Sequence, residues 1–526
     1  MPNLQSGLGR SMRALRNTLG VAALAGIMIP AGTAMAQMQD DTIRFATSAI
    51  APSFGRPEQG TASPSVYTLW PIYESLTRVS ETGDVTGLLA TGWKNLNNTT
   101  WNFTIRQGVK FHNGDTLTAK HVAAQLNYLI SNEEAHGTVA YSTNQKQANI
   151  KSARAIDNNT LELITASGNP ELPRQMAGFW IPNTNARDDM GTEAHNKSPV
   201  GTGPFKATSF KPGEVTYDAF EGAWRPAKVK HLHTFELAEA ATRVTSILSG
   251  EIDISQNVPI DAIGQLEAGG AAVHVASRPS VMGWRFMSVR KSSPFSDKRV
   301  RQAANYAIDR QSMVDNLLGG ITVPGGQCAT RFTFGYNPAV KPYPFDPAKA
   351  KALLAEAGYA DGFDTEAMVL PGAFPADGEI YQFAAQQLNA VGIRVKLTNI
   401  QFPQWLDNWF GKVKGDGDTM GFSDIFQNSC HNYNAIPFDA YPNLSCQKDL
   451  PSHCDEAEAD LLTRAVAEFD VEKRRKLIQE LMALGHENAP NLFFVELVDM
   501  TGLSGRVQGF DNTIQRFSFD TITLKN

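Results

Sequence analysis

Two kinds of apolar periodicity alternate along most of this chain, and the alternation restricts it to a fold in which helices pack against sheets. Thr42-Ile43-Arg44-Phe45-Ala46 reads as a strand, as does Trp101-Asn102-Phe103-Thr104-Ile105, whose three large apolar side chains share one face. After the turn Asn113-Gly114-Asp115, Val122, Leu126 and Leu129 repeat at helical spacing. Asp157-Asn158-Asn159 then separates two strand-like segments, the second being Thr160 to Ile164. Ser296 or Asp297 caps a helix whose inner face is Val300, Ala303, Ala304, Ala307 and Ile308. Asp346-Pro347 opens another, closed by Gly358 in the left-handed cap position. A third carries Ile380, Phe383, Ala384, Leu388 and Val391, stops at Gly392 and feeds the strand Ile393 to Leu397. Asp470 opens the last, with Leu477, Ile478, Leu481 and Leu484 inside and Pro490 at its end, before a strand from Leu492 to Val498. Helices alternating with strands predict α/β lobes.

The first 36 residues read as a secretory leader instead. Arg10, Arg13 and Arg16 form a basic start, Leu19 to Ile29 an apolar run, and Ala34-Met35-Ala36 a small-residue cleavage site before Gln37. The run is too short for a bilayer, which needs about 20 apolar residues. The arginines are not adjacent and the leader has no cysteine, so a twin-arginine signal and a lipid anchor are not expected. The expectation is a soluble, exported protein of about three domains at roughly 150 residues each. A net charge of −6 argues against nucleic acid, whose partners need a basic face.

Export places Cys328, Cys430, Cys446 and Cys454 in an oxidising compartment, where an even count favours two disulfides. Proximity in sequence favours Cys446 with Cys454, leaving Cys328 with Cys430, one of three possible pairings. A metal cluster using Cys430-His431 and His453-Cys454 is the competing reading, but its spacing matches no zinc pattern.

Catalytic signatures are missing. There is no nucleophile elbow, P-loop, paired-histidine zinc helix or dinucleotide fingerprint. Gly201-Thr202-Gly203-Pro204-Phe205 fails as a phosphate cradle because Pro204 lacks an N–H, and it reads as a tight crossover. His231 and His233 stand at strand spacing as a possible metal pair, with solvated histidines the commoner case. No enzyme activity, cofactor or resident metal is expected.

Several segments resemble solute-binding protein family 5, the dipeptide-, oligopeptide- and nickel-binding receptors of ABC importers. They are Gly87 to Trp93, Trp101 to Val122, Pro199 to Phe205, Leu248 to Ile254, Pro294 to Arg310, and Pro344 to Tyr359, in the family's order. The resemblance implies an α/β, two-lobed periplasmic-binding-protein fold (type II) with an additional inserted domain. One lobe takes residues 37–70, 200–280 and 500–526, the insert 71–199, and the second lobe 281–499. It also implies a periplasmic receptor that closes on a peptide or similar small zwitterionic solute and passes it to ABC permease subunits in the inner membrane. The same role for a nickel chelate, opine or other small solute is the alternative, and an enzyme on the same scaffold a distant one. The expected assembly is a monomer.

In peptide-binding relatives an aspartate just after a glycine-aromatic strand end holds the ligand's amine. Met420-Gly421-Phe422-Ser423-Asp424 resembles that stretch, which makes Asp424 the candidate anchor, with Gly421, Phe422 and Ser423 beside it. Trp405 matches an aromatic ahead of that strand, Arg56 falls where it could meet a ligand carboxylate, and Tyr67 could line the same side. Trp284 or Arg285 could reach the ligand from the cleft floor. His431 matches the region where nickel-binding relatives place a histidine.

Overall fold

The computed structural model describes residues 41–525, apart from 60–64, 81, 133–147, 373, 410–420, 432–445, 447–450 and 514–515. The leader expected at residues 1–36 lies outside the described residues, as does Met420, and the side chain of His431 is likewise not described.

The strands, in chain order, are β1 (Thr42–Thr47), β2 (Thr77–Val79), β3 (Val85–Gly87), β4 (Ala90–Asn97), β5 (Thr100–Ile105), β6 (Ile150–Ala155), β7 (Thr160–Thr165), β8 (Phe205–Lys211), β9 (Glu214–Ala219) and β10 (His231–Glu236). They continue with β11 (Ile254–Gln256), β12 (Ala272–Phe286), β13 (Phe363–Val369), β14 (Ile393–Asn399), β15 (Ile425–His431) and β16 (Asn491–Leu503). Ten of them form one sheet in the order β14-β13-β15-β12-β16-β11-β1-β10-β9-β8. Strands β12 and β16, of 15 and 13 residues, pair antiparallel from Ala272↔Leu503 to Arg285↔Asn491 and join the two halves of this sheet. Their register slips between Ser277 and Gly283, the local irregularity expected where a long ribbon changes direction. Gly283 sits in this stretch because a Cβ there would come within 2.5 Å of the Leu492 carbonyl.

Each half buries its own core. On the β13–β15 side, helices α1 (Lys298–Tyr306), α2 (Pro347–Glu356) and α3 (Asp377–Val391) pack Val300, Ala304, Leu354, Ile380 and Leu388 against the sheet. Asp297 accepts from Arg299 N and Asp346 from Lys349 N, so the expected N-caps form, and Gly358 and Gly392 take the left-handed conformation expected of them. On the β1 side, Phe45, Tyr67, Phe205, Tyr217 and Phe519 form a second core. A separate antiparallel sheet, β4-β5-β7-β6, carries Trp101, Phe103 and Ile105 on its inner face as their alternation predicts. The glycines of Gly201-Thr202-Gly203 press against the carbonyls of Ile72 and Pro71, leaving no room for a side chain, so this segment is a packed crossover. No helix among the described residues is long and apolar enough to cross a membrane.

Candidate functional site

The loops that leave β11 and β13 face one another across a cavity of about 690 Å³. Strands β1, β10 and β11 run parallel, as do β13, β14 and β15, and loops at the carboxyl ends of such strands are where α/β sheets form ligand crevices. Asn257 to Asp261 line one wall, Phe374 to Ala376 and Glu379 the other. The joining strands supply Arg278 from β12 and Asp499 from β16. The volume lies within the range of about 300–1,000 Å³ typical of small-molecule sites.

Arg278 Nη1 lies 3.5 Å from Asp499 Oδ1. Arg278 Nε and Asp499 Oδ2 are buried and make no hydrogen bond to any described residue. Buried polar atoms are normally satisfied, so these two stand out in the wall beside the cavity. Two lining residues, Asn257 and Ala376, hold φ near +50°, a conformation that strains a non-glycine residue by roughly 1–2 kcal/mol. Such strain concentrates at ligand sites.

The residues expected from the sequence do not assemble here. Asp424 was expected just after a strand end; it stands just before β15 begins. The pairs Phe286↔Ile425 and Ser280↔His431 place Asp424 and His431 at opposite ends of that strand, roughly 20 Å apart at the usual rise per residue. Arg290 approaches Asp424 Oδ1 at 3.4 Å and donates to the Phe422 carbonyl at 2.7 Å. Ser423 Oγ donates to the Ile425 carbonyl and accepts from Met368 N, so Gly421 to Asp424 shape the start of a strand. Phe422 is buried and stacked on Phe426, and Trp405, in helix α4 (Phe402–Trp409), packs beside them and donates its indole N–H to the Gln427 carbonyl.

Other candidates are core residues. Tyr67 is 1% exposed and stacks on Phe517, and Trp284 is fully buried against Tyr381 and Phe494. Their size and apolar surface are used for packing, which is the same property that made them attractive as cleft aromatics. Arg285 is 2% exposed, and burial lowers its pKa to about 9. Arg56 is paired with Glu58 at 3.4 Å. None of these residues lines the cavity.

Cys328 is bonded to Cys430 and Cys446 to Cys454, so these thiols are not available as metal ligands. His231 and His233 contact Asp218 and Glu214, at 2.8 and 2.6 Å, in separate pairs. No group of three or more metal-ligating side chains converges among the described residues. Ser288 Oγ lies 2.6 Å from His453 Nδ1, and His453 Nε2 lies 3.5 Å from the buried Glu458. These are the residue types of a nucleophile relay, yet Ser288 Oγ is also within hydrogen-bond distance of the Ser452 carbonyl, and none of the three lines the cavity.

The cavity residues carry one faint sequence signal. Asp499 is a charge inside a mostly apolar strand, where alternation gives no solvent face to receive it. Reading that strand only to Val498 stops one residue before Asp499.

Two α/β halves joined by a pair of long strands, with a crevice at the junction, have the architecture of the type II periplasmic-binding-protein fold. Comparison with known proteins supports this. The structure superposes on that of HbpA2 from Haemophilus parasuis with a TM-score of 0.81, at 22% identity, covering 92% of this chain and all of that one. Residues 84–430 match the model described as "Bacterial extracellular solute-binding proteins, family 5 Middle", and the chain belongs to that family. Heme-binding protein A of Haemophilus influenzae is 24% identical over 471 residues, 81% of this chain and 82% of its own. The glutathione-binding protein GsiB of Shigella flexneri is 29% identical over 312 residues, 57% of this chain and 58% of its own length.

Proposed function

We propose that this protein is the periplasmic receptor of an ABC importer: it takes a small solute into the cavity between its halves, closes on it and presents it unchanged to permease subunits in the inner membrane. The cavity at the junction of the halves carries the reading. Both walls come from loops that a rotation about β12 and β16 would bring together, so a solute touching both stabilises the closed state by differential affinity. Family membership supports receptor action over turnover, and the pattern of residues 1–36 supports export. Its relatives include proteins named for heme and for glutathione, the latter a peptide with free amino and carboxyl groups.

Native mass spectrometry of the purified protein, before and after exposure to a small-molecule extract of periplasm, tests this. The expected result is one unmodified solute per protein, recovered intact on denaturation. A protein that captures nothing, or that releases a chemically altered molecule, would overturn the receptor reading.

A further inference from the structure

Resting on the receptor reading, we infer that the unit running from β2 to β7 and through the two short helices Thr184–Met190 and Thr192–Lys197 is a latch: it holds the halves apart and must release one of them before the cavity closes. Connectivity ties this unit to one half, since the chain enters it after β1 and leaves it into β8, two strands of the same half. The packing there is close. Asn196 Oδ1 accepts from Ser53 Oγ and from Gly55 N at 2.7 Å, and Trp180 joins the core of Phe45 and Tyr67.

Its hold on the other half is made of non-covalent contacts alone. Glu171 meets Arg474, and Asp84 Oδ1 lies 3.2 Å from Arg475 Nη2. Gly83, in the β2–β3 turn, presses so closely on the backbone of Phe332 to Phe334 that a Cβ would come within 2.7 Å of it. Three guanidinium groups stand over the Phe334 ring at 4.4–5.5 Å: Arg174 from the unit, Arg474 and Arg475 from the helix Val471–Asn488. Phe469 stacks on Trp101 with ring centroids 6.1 Å apart.

The unit and the cavity lie on opposite faces of the large sheet. Phe45 and Ala46 are successive residues of β1, and Phe493 and Phe494 of β16, so each pair points to both faces. Phe45 shares a core with Trp180, and Phe493 one with Phe334 and Ile478. On the other face Ala46 shares a core with Val258 and Met500, while Phe494 shares one with Ile380, against which Leu317 and Phe374 pack. Val258, Met500, Leu317 and Phe374 all line the cavity.

A rotation about β12 and β16 that brings the cavity walls together therefore spreads the halves on the far face. The unit follows the half to which the chain connects it, so its contacts with Phe334, Phe469, Arg474 and Arg475 part. Apparent affinity is the intrinsic affinity scaled by the fraction of protein in the competent, closed state. Weakening the latch raises that fraction and tightens apparent binding, although none of the substituted residues touches the cavity.

The test measures closure by energy transfer between dyes attached at Glu267 and Gln386, exposed positions on helices of the two halves, in the disulfide-intact protein. The probe is a dilution series of one small-molecule extract of periplasm. Wild type is expected to close as the dose rises. Asp84→Arg, which sets two cations against each other, and Phe469→Ala, which removes the Trp101 stack, should each reach half-closure at a dose roughly three- to fivefold lower. The exchange Asp84→Arg/Arg475→Asp restores an attractive pair and should return the dose toward that of wild type. Circular dichroism confirms that each variant is folded. An unchanged or higher half-closure dose in both single variants, with wild type still closing, would overturn the latch and leave the receptor reading standing. No change in transfer at any dose, in wild type or variants, would remove closure and with it the receptor reading.

Discussion

Glu171 lies between two arginines: its Oε2 is 2.9 Å from Arg174 Nε, and its Oε1 touches Arg474 Nε. All three side chains are about 3–6% exposed. Arg474 belongs to the helix Val471–Asn488, on the far side of the sequence from Glu171, and Phe469 just before that helix stacks on Trp101 of β5. The small antiparallel sheet is thereby fastened to the C-terminal part of the chain through a charged cluster, well away from the cavity residues.

Removing one partner from a buried charge cluster is far more damaging than its formation is helpful, because the remaining charges stay desolvated. Glu171→Gln leaves two buried guanidinium groups facing one another with no carboxylate between. We expect it to lower the free energy of unfolding by about 3–5 kcal/mol in urea denaturation. A change below about 1 kcal/mol would show that solvent reaches these groups.

Asp424→Asn separates a ligand role from a structural one. Asp424 neutralises Arg290 at the start of β15, outside the cavity lining. Affinity for the captured solute should stay within about twofold of wild type, while stability falls by about 1–2 kcal/mol for a partly buried pair. Isothermal titration and urea unfolding read the two effects independently. A large loss of affinity with unchanged stability would return Asp424 to the binding site.

The Cys328–Cys430 bond closes a loop with a sequence separation of 102, and the Cys446–Cys454 bond one of 8. The chain-entropy contribution grows with the logarithm of loop length, reaching about 4.7 kcal/mol for a 100-residue loop and about half that for the short one. The double variant Cys328→Ala/Cys430→Ala should therefore unfold at markedly lower urea than Cys446→Ala/Cys454→Ala. The long bridge also lies buried against Asn491, whose amide donates toward both sulfurs, and its loss leaves that amide unsatisfied. Equal urea midpoints for the two variants would contradict this ordering.

Local chemistry made the scaffold legible. Asp297, Asp346, Gly358 and Gly392 act within one turn of their own positions, so sequence reveals them directly. Trp101, Phe103 and Ile105 alternate because the sheet has one buried face. The cavity depends on contacts that cross more than two hundred residues, as between Arg278 and Asp499, and no local pattern encodes which of many charged residues will meet. Trp284 and Tyr67 show the complementary difficulty: a large aromatic looks the same in sequence whether it fills a core or walls a cleft. Asp424 shows a third, since the end of a strand at which a motif stands is set by strand pairing that no local pattern encodes.

Glu496 gives the protein a pH dependence whose sign follows from its burial. It lies on β16 near the register slip, 8% exposed, and desolvation raises its pKa from 4.5 to about 7, with Arg331 opposing the shift. Between those two values the folded protein holds a proton that the unfolded chain has released. Unfolding then loses protons, so the stability this group supports is full below about pH 4.5 and is lost as pH rises through about 7. The difference amounts to at most about 3 kcal/mol, at 1.36 kcal/mol per pKa unit. Glu496→Gln keeps the shape and removes the ionisation, so it should abolish this part of the pH dependence and be more stable than wild type at pH 8. All other titrating groups are shared by the two proteins, so the difference between their urea unfolding free energies at pH 5 and pH 8 isolates Glu496. Parallel curves across that range would mean that solvent or a cation stabilises the ionised carboxylate, and that the strand joining the two halves carries a charge at neutral pH after all.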